Sequence, residues 1–351
     1  MISADFRHEV LGVNNAEDWL NVAGECAYAP YNVFDPDFIE RNTREGSNAL
    51  SVIVYETSSG KPAAIFPAEL YTKSASLIII RIAKSSAYGG LMIAGGYMRE
   101  AGSIKRYFYE NIISGYYRCK AIDMVEVIPS PLLEIDFPGL THAAVPFYRA
   151  EAEINSLLYT DLKGDFTEKL GYNVKRESFK GMDALKSLKV MTGSEEGAFG
   201  LLKGLECGKA ATLNVEPIPG RVLEKMLGSR MVATVIAVSG GKALAAVSYS
   251  CRGKLATLHY NASTPEGKKS FVNKGLMLWC IQDCKNKGAD YFVLGNGWEQ
   301  GRDKKESEQL ERMAFFKKSF STSESSTFRF SMPLTLKGLL AQAGNRAIKR
   351  R

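Results

Sequence analysis

The segment from Met231 to Ser321 constrains the fold most, because the spacing of its apolar residues changes along the chain. Two alternating apolar runs flank a turn that contains Gly240 and Gly241, a pattern typical of a β-hairpin. Further along, the spacing changes from that of a strand to that of a helix and back. The predicted strands are 231–238, 243–249, 255–261 and 291–295, and the predicted helices are 271–285 and one that ends at Phe320. Strands that pair and then alternate with helices predict an α/β unit.

The first half of the chain repeats this order of elements in a looser form. Strands are predicted at 50–55 and 62–71, on either side of a turn with Gly60 and Lys61, and a helix at 103–118 precedes a strand at 121–128. A chain of 351 residues also exceeds the size at which one hydrophobic core usually stops growing. We therefore predict two α/β units, which join between Phe147 and Thr160.

The net charge of +7 is concentrated at the C-terminal end. Five basic residues and no acidic residue lie between Leu334 and Arg351, so the rest of the chain is only weakly basic. This distribution does not require a broad nucleic-acid-binding face. Leucines of the same stretch share one helical face, which predicts a basic amphipathic tail that contacts anionic lipid or RNA phosphates. A solvated helix is the alternative interpretation.

The six cysteines are scattered, and the three histidines lie far from the only close pair, Cys280 and Cys284. This spacing favours reduced thiols over a disulfide framework or a metal site. No run is long and apolar enough to span a bilayer, and the N-terminus has no charged-then-apolar signal segment. We therefore expect a cytoplasmic protein without a metal, with the inner face of the membrane as a second expected location through the basic tail.

The residues Phe316-Lys317-Lys318-Ser319-Phe320 close the second unit, and they resemble the Phe-Lys-x-x-Phe ending of the FemAB-like branch of the GNAT acyltransferase superfamily. Together with the order of elements, the resemblance covers nearly the whole chain, although Ser321 replaces a glycine common in the family. It implies an α/β (α+β) fold of two tandem GNAT-like domains, each a mixed, partly splayed sheet flanked by helices. The expected boundaries are 1–155 for the N-terminal domain, 156–335 for the C-terminal domain and 336–351 for the tail.

In the GNAT fold the sheet splits beside its fourth strand, and the acyl donor lies in the resulting cleft. The resemblance places this cleft between 255–261 and 291–295. It implies Lys317 as a catalytic residue, embedded between Phe315, Phe316 and Phe320. Tyr260 is a second catalytic candidate, and it is expected to face away from His259, for which packing or a structural hydrogen bond is expected. The other implied substrate-binding residues of this unit are Asn261, Gly295, Asn296, Phe316 and, in the preceding helical region, Arg176.

Candidates for the proton acceptor and for the acceptor substrate lie outside these strands. Asp303 is the third catalytic candidate, because it follows the turn at 295–298, as Glu299 does, and a carboxylate can accept the proton of an amine. Tyr88, Gly89 and Gly90 resemble the family's Tyr-Gly-Gly at the mouth of the first cleft, where the acceptor would bind. Asp35 is a further substrate-binding candidate, with capping of a helix as the alternative.

The resemblance implies an acyltransferase that forms an amide bond, by transferring an aminoacyl or acyl group to an amine of a peptidoglycan or polysaccharide precursor of the cell envelope. No tightly bound cofactor is expected. The donor is aminoacyl-tRNA or an acyl-CoA, so tRNA is an expected partner. The loop 263–275 lacks the Gly-x-Gly spacing with which acetyl-CoA enzymes hold pyrophosphate at a helix N-terminus. The alternatives are an acetyl-CoA-dependent N-acetyltransferase that acts on an amino sugar and a non-catalytic tandem GNAT scaffold. The oligomeric state is left open.

Overall fold

The computed structural model describes residues 5–44, 49–75, 78–85, 89–128, 151–299 and 314–349. These residues form two compact units. The first contains the described residues up to Ser156 and the C-terminal stretch from Ser325. The second contains Leu157–Trp298 and the described residues from Ala314 to Glu324. The structure therefore assigns the strand and helix at the C-terminal end to the first unit, whereas the expected boundary placed residues up to 335 in the second.

The helices and strands have the following bounds. The strands are β1 (Phe6–Val10), β2 (Val52–Glu56), β3 (Pro62–Phe66), β4 (Ala68–Ala75), β5 (Ile78–Ser85), β6 (Met92–Ile93), β7 (Met124–Val127), β8 (Glu151–Asp161), β9 (Lys189–Thr192), β10 (Ala233–Ser239), β11 (Lys242–Arg252), β12 (Leu255–Ser263), β13 (Tyr291–Glu299) and β14 (Ser323–Pro333). The helices are α1 (Ala16–Glu25), α2 (Pro36–Thr43), α3 (Ala101–Tyr107, continued by π-helical turns over Phe108–Tyr117), α4 (Tyr172–Leu185), α5 (Ala198–Leu213), α6 (Gly220–Gly228), α7 (Pro265–Lys269), α8 (Val272–Asn286), α9 (described over 314–320) and α10 (Leu336–Lys349). Short 3₁₀ turns lie at Val13–Asn15, Tyr31–Phe34, Gly95–Glu100 and Phe166–Lys169.

The strands of the first unit form two groups. One is the sheet β1-β2-β3-β6, and in the other β5 pairs with β4 on one side and with β7 on the other. The β5–β7 pair is parallel, and α3 provides the crossover between these two strands. The predicted strand at 62–71 is two strands, because the chain passes at Pro67 from one group to the other and proline cannot donate a ladder hydrogen bond. Strands β1 and β5 were not predicted.

The C-terminal stretch completes the first unit. β14 runs antiparallel to β7, with Phe330 opposite Val127. Ala341 of α10 is buried against Ile80, Ile82 and Met124. The residues from 336 onward, predicted as a basic tail, thus form a helix over their described part, and the N-terminal turns of that helix are packed against the first unit.

The second unit has the strand order β8-β13-β12-β11-β10-β9, with helices on both faces. Successive residues of β10 alternate between two cores, since Val235 packs with α4 and α8 whereas Ile236 packs with α5 and α6. Helices α4 and α8 cross where Gly181 meets Gly275, and a Cβ on Gly181 would lie 2.7 Å from the amide nitrogen of Gly275. The hairpin, the crossover helix and the strands predicted between Met231 and Ser321 are all present.

Candidate active site

The feature that defines the site is a gap between β12 and β13. The two strands pair in parallel only over their first three residues, from Leu255 opposite Tyr291 to Thr257 opposite Val293. Beyond this point β12 remains paired with β11 as far as Ser263, but no pairing with the described residues of β13 continues. The predicted wedge is therefore present, and it begins after Thr257. Among the described residues no strand pairs with this side of β12 there, so its backbone N–H groups can donate to a ligand.

A β-bulge lies at the same level of β12. Ser248 is opposite Tyr260 and Tyr249 is opposite Leu258, so His259 is an extra residue in the ladder. The imidazole Nε2 of His259 lies 2.8 Å from the hydroxyl of Ser250, which shares a face of β11 with Ser248. His259 and Tyr260 therefore face the same side, and the expectation that they face opposite sides was wrong. The bulge interrupts the alternation that the expectation assumed.

Tyr260 is a core residue in this structure, only 3 % exposed and packed with α5 and α6. The ammonium of Lys209 lies 4.6 Å from the centre of its ring. Burial, and then the nearby carboxylate of Glu206, raise the pKa of the Tyr260 hydroxyl well above its usual range. A phenol held neutral in this way is a poor base at neutral pH. Tyr260 is thus held as the neutral phenol, and the catalytic role expected for it remains a prediction.

Lys317 lies next to Gly295 at the wedge. Its side chain is half-buried, and a Cβ on Gly295 would lie 3.0 Å from the Lys317 Nζ. Gly295 has a φ of +101°, a backbone conformation that residues with a Cβ rarely adopt. The positive φ and the missing Cβ therefore let β13 turn its backbone toward the lysine amine. The structure therefore brings Lys317 and Gly295 together on the part of β13 that no longer pairs with β12.

The end of α9 is fixed by packing and by hydrogen bonds to β8. The rings of Phe316 and Phe320 are 5.3 Å apart, and Phe320 is fully buried. The hydroxyl of Thr160 donates to the Phe320 carbonyl at 2.8 Å. Phe315, in contrast, is 78 % exposed and does not help to embed Lys317 as expected. Thr160 was not singled out from the sequence, although a threonine within an apolar strand could have indicated a buried hydrogen bond.

The other candidates of the second unit are less closely tied to the wedge. Asn261 is half-buried on the stretch of β12 that β13 does not pair. Arg176 is exposed on α4, with its guanidinium 5.7 Å from the ring centre of Tyr172. The side chain of Asn296 and the whole of Asp303 lie outside the described residues. The roles expected for these four residues remain predictions.

The acceptor-side candidates all belong to the first unit. Gly89 and Gly90 are buried there, whereas Tyr88 lies outside the described residues. Asp35 is the N-cap of α2, and its carboxylate accepts a hydrogen bond from the amide of Asp37 at 3.1 Å. The capping alternative thus explains Asp35 without a substrate, and an additional role in binding the acceptor remains a prediction.

The loop that would hold pyrophosphate in an acetyl-CoA enzyme is built differently here. It contains the short helix α7, which is capped by the Thr264 hydroxyl accepting from the Gly267 amide at 3.0 Å. A Cβ on Gly267 would meet the backbone of Leu244, and one on Gly275 would lie 2.6 Å from the carbonyl oxygen of Gly181. Close packing of the backbone therefore accounts for both glycines, without a ligand.

Comparisons with known proteins support the architecture. Neither a protein-family model nor a curated protein matches the chain. FemX aligns over 96 % of this chain and 100 % of its own, with a TM-score of 0.67 and 10 % identity. L-PGS from Bacillus licheniformis covers 98 % of this chain and 99 % of its own, with a TM-score of 0.53 and 9 % identity.

A third match is the C-terminal domain (DUF2156) of a putative lysylphosphatidylglycerol synthetase from Agrobacterium fabrum. It covers 95 % of this chain and 96 % of its own, with a TM-score of 0.52 and 14 % identity. Identities this low establish similarity of fold alone. The chain therefore shares the fold of FemX and the two synthetase structures, and the α/β GNAT-type fold predicted from the FemAB-like resemblance is confirmed.

Proposed function

We propose that the chain is an acyltransferase that forms an amide bond, by transferring an aminoacyl group to an amine of a cell-envelope precursor. The observation that carries this proposal is the wedge between β12 and β13 with the Lys317 amine beside Gly295. A carbonyl in this wedge would be within reach of unpaired backbone N–H groups and of a cationic side chain. Oxyanion donors of this kind are each worth about 10²–10³ in rate.

The reaction follows from these groups. The amine of the acceptor attacks the ester carbonyl of the donor, and the carbonyl oxygen takes the negative charge that the β12 amides and Lys317 stabilise. The new C–N bond forms as the C–O bond breaks, and the donor leaves as a free hydroxyl. The proton lost by the amine passes to a carboxylate or to water, and from there a proton reaches the departing ester oxygen, which therefore leaves as a hydroxyl. The chain thus supplies mainly position and electrostatic stabilisation.

The structure of the loop after β12 supports an aminoacyl-tRNA donor over an acyl-CoA. The loop lacks the Gly-x-Gly spacing of a pyrophosphate loop, and close packing against other backbone segments accounts for its Gly267 and Gly275. One structure with the same fold is a domain of a putative lysylphosphatidylglycerol synthetase, a name that denotes the joining of an aminoacyl group to a membrane lipid. We extend this to an envelope acceptor for the present chain, a peptidoglycan or polysaccharide precursor that bears an amine.

Work on an envelope precursor would bring the protein close to a membrane surface. Within the part of the chain that the structure describes, no helix has the length and apolar character needed to cross a bilayer. Leu336 and Leu340 of α10 are 71 % and 51 % exposed. The charged residues between Leu334 and Arg351 are all basic. We propose that this helix makes a peripheral contact with anionic lipid.

Substitution of Lys317 tests the proposed function. We expect Lys317→Ala to reduce kcat/KM for transfer from aminoacyl-tRNA to an amine-bearing precursor by at least about 10²-fold, with an unchanged circular dichroism spectrum. Lys318→Ala is the matched control, because Lys318 is the adjacent lysine and is exposed. Equal rates for Lys317→Ala and the unsubstituted protein would contradict the role of the lysine.

A binding measurement distinguishes the proposed function from the acetyl-CoA-dependent alternative. A ligand present at about 100 times its Kd stabilises the folded protein by about 2.7 kcal/mol. We expect saturating acetyl-CoA to leave the thermal midpoint unchanged. A clear increase in the midpoint would favour the amino-sugar N-acetyltransferase.

A further inference from the structure

The second unit contains a groove that the proposed reaction does not use. It has a volume of about 390 Å³, and its walls come from α5, from the β10–β11 turn with the start of β11, and from the end of β12 with α7. Each of these three segments contributes one lysine to the lining: Lys209, Lys242 and Lys268. The hydroxyl residues Ser263 and Thr264 also line it, and no aspartate or glutamate is among the described residues that do.

The three lysines are not held in the same way. Lys209 is half-buried, and its ammonium donates to the buried carboxylate of Glu206 at 3.1 Å while it lies over the ring of Tyr260. Its position is therefore fixed before any ligand binds, although Glu206 offsets part of its charge. Lys242 and Lys268 are exposed and add positive charge to the groove. The groove thus attracts anions.

Part of the α5 face that lines the groove consists of glycines and carries no side chains. Gly200, Gly204 and Gly208 recur at every fourth residue and therefore share one face of the helix. A Cβ added at any of the three would meet no atom within 4 Å. These glycines are not required for packing within the described structure, and they let a ligand approach the helix backbone.

We propose that this groove binds the phosphodiester backbone of the single-stranded 3′ end of the RNA donor, an inference that rests on the proposed function. Ser263 and Thr264 directly follow the stretch of β12 that β13 leaves unpaired, so the groove lies about 20 Å along the strand from the start of the wedge. A strand of RNA spans such a distance and carries phosphates along it. Lysines on separate segments match a row of single charges better than the compact charge of a pyrophosphate.

The salt dependence of RNA binding tests this inference. The probe is a fluorescently labelled RNA hairpin with a short single-stranded 3′ end, measured by anisotropy with the full chain. Each phosphate neutralised on a single strand contributes about −0.7 to the slope of log K against log salt concentration, so three lysines predict about −2. The double variant Lys242→Ala/Lys268→Ala should bind about tenfold more weakly near physiological salt, with a slope about 1.4 less steep.

Matched variants distinguish RNA binding in the groove from binding to positive charge elsewhere on the surface. Lys186→Ala removes an exposed lysine of the same unit that does not line the groove, and it should leave binding unchanged. Gly204→Glu places a carboxylate in the groove and should abolish the salt-dependent binding, whereas Gly204→Ala, which adds a methyl group and no charge, should weaken it less and leave its salt slope unchanged. Equal binding by the double variant and the unsubstituted protein, or displacement of the RNA by coenzyme A, would overturn the inference.

The inference and the proposed function can fail separately. Lys317→Ala should bind the RNA hairpin normally but not transfer an aminoacyl group. If transfer depends on Lys317 and the groove variants leave KM for aminoacyl-tRNA unchanged, the groove assignment is wrong and the function stands. If the groove variants lose RNA binding but no transfer occurs with any amine acceptor, RNA binding stands and the proposed reaction is wrong.

Discussion

The crossing of α4 and α8 gives the sharpest prediction of stability, because the second unit offers a matched pair of helical glycines. At Gly181 the two helices touch through their backbones: a Cβ would lie 2.7 Å from the amide nitrogen of Gly275 and closer still to the carbonyl oxygen of Phe271. At Gly204 of α5 a Cβ would meet no atom within 4 Å. The same substitution, glycine to alanine, should therefore change stability in opposite directions at the two positions.

The magnitude follows from two opposing effects. Replacing a glycine within a helix by alanine stabilises the helix by about 0.5–1 kcal/mol, because the unfolded chain loses conformational freedom. Overpacking a closely packed contact costs about 1–3 kcal/mol, and the upper end applies at Gly181 because its neighbours are backbone atoms that cannot rotate away. At Gly181 the overpacking of about 3 kcal/mol exceeds the helix gain, so we expect Gly181→Ala to lower the free energy of unfolding by about 2 kcal/mol. Gly204→Ala should raise it by about 0.5–1 kcal/mol.

Urea unfolding followed by circular dichroism measures both variants. With a urea m-value of about 1–3 kcal/mol/M, a loss of 2 kcal/mol lowers the midpoint by roughly 1 M, while Gly204→Ala should raise it slightly. The comparison is valid where the m-values agree. A Gly181→Ala variant as stable as the unsubstituted protein would refute the backbone contact between α4 and α8, and with it the position of the helix that joins β12 to β13.

Two further predictions concern the wedge. Gly295→Ala should lower stability by about 1–3 kcal/mol because of its φ of +101°; it should also displace the Lys317 amine and slow transfer, and an unchanged transfer rate would contradict this. Burial lowers the pKa of His259 from 6.5 to about 4. The unfolded chain therefore takes up a proton first as the pH falls, and the free energy of unfolding should decrease between pH 6.5 and 4 by up to about 3 kcal/mol. His259→Gln should flatten this part of a pH series of urea unfolding curves, and an equally steep decrease in that variant would refute the assignment.

The parts of the fold that the sequence predicted depend on local signals. The Gly240–Gly241 turn between alternating runs is sufficient for a hairpin, and the change to helical spacing after β12 is sufficient for a crossover helix. The wedge and the place of Lys317 came from the resemblance carried by Phe316–Phe320. The hairpin and the crossover helix were predictable because they depend on few long-range contacts. The wedge was predictable because the resemblance covers nearly the whole chain.

The parts that were missed depend on tertiary structure. The bulge at His259 has no signature in the sequence, since an extra residue in a ladder is visible only once the partner strand is known. It reversed the expected orientation of His259 relative to Tyr260. Helix α5 was not predicted, because its glycines have a low helix propensity. The spacing of three of them at every fourth residue could have indicated the helix. In the sequence, Gly267 and Gly275 fit either a ligand-binding loop or a close packing contact. The backbone atoms that lie against them in the structure account for them as packing contacts.

The pairing of β14 with β7 has a consequence for synthesis on the ribosome. Until β14 emerges, after all of the second unit has been translated, β7 presents an unpaired and largely apolar edge. The unit translated first is therefore the last to be completed, and its nascent sheet needs protection from premature association. A stop codon that removes β14 should damage the half of the protein that lies farthest from it in the sequence.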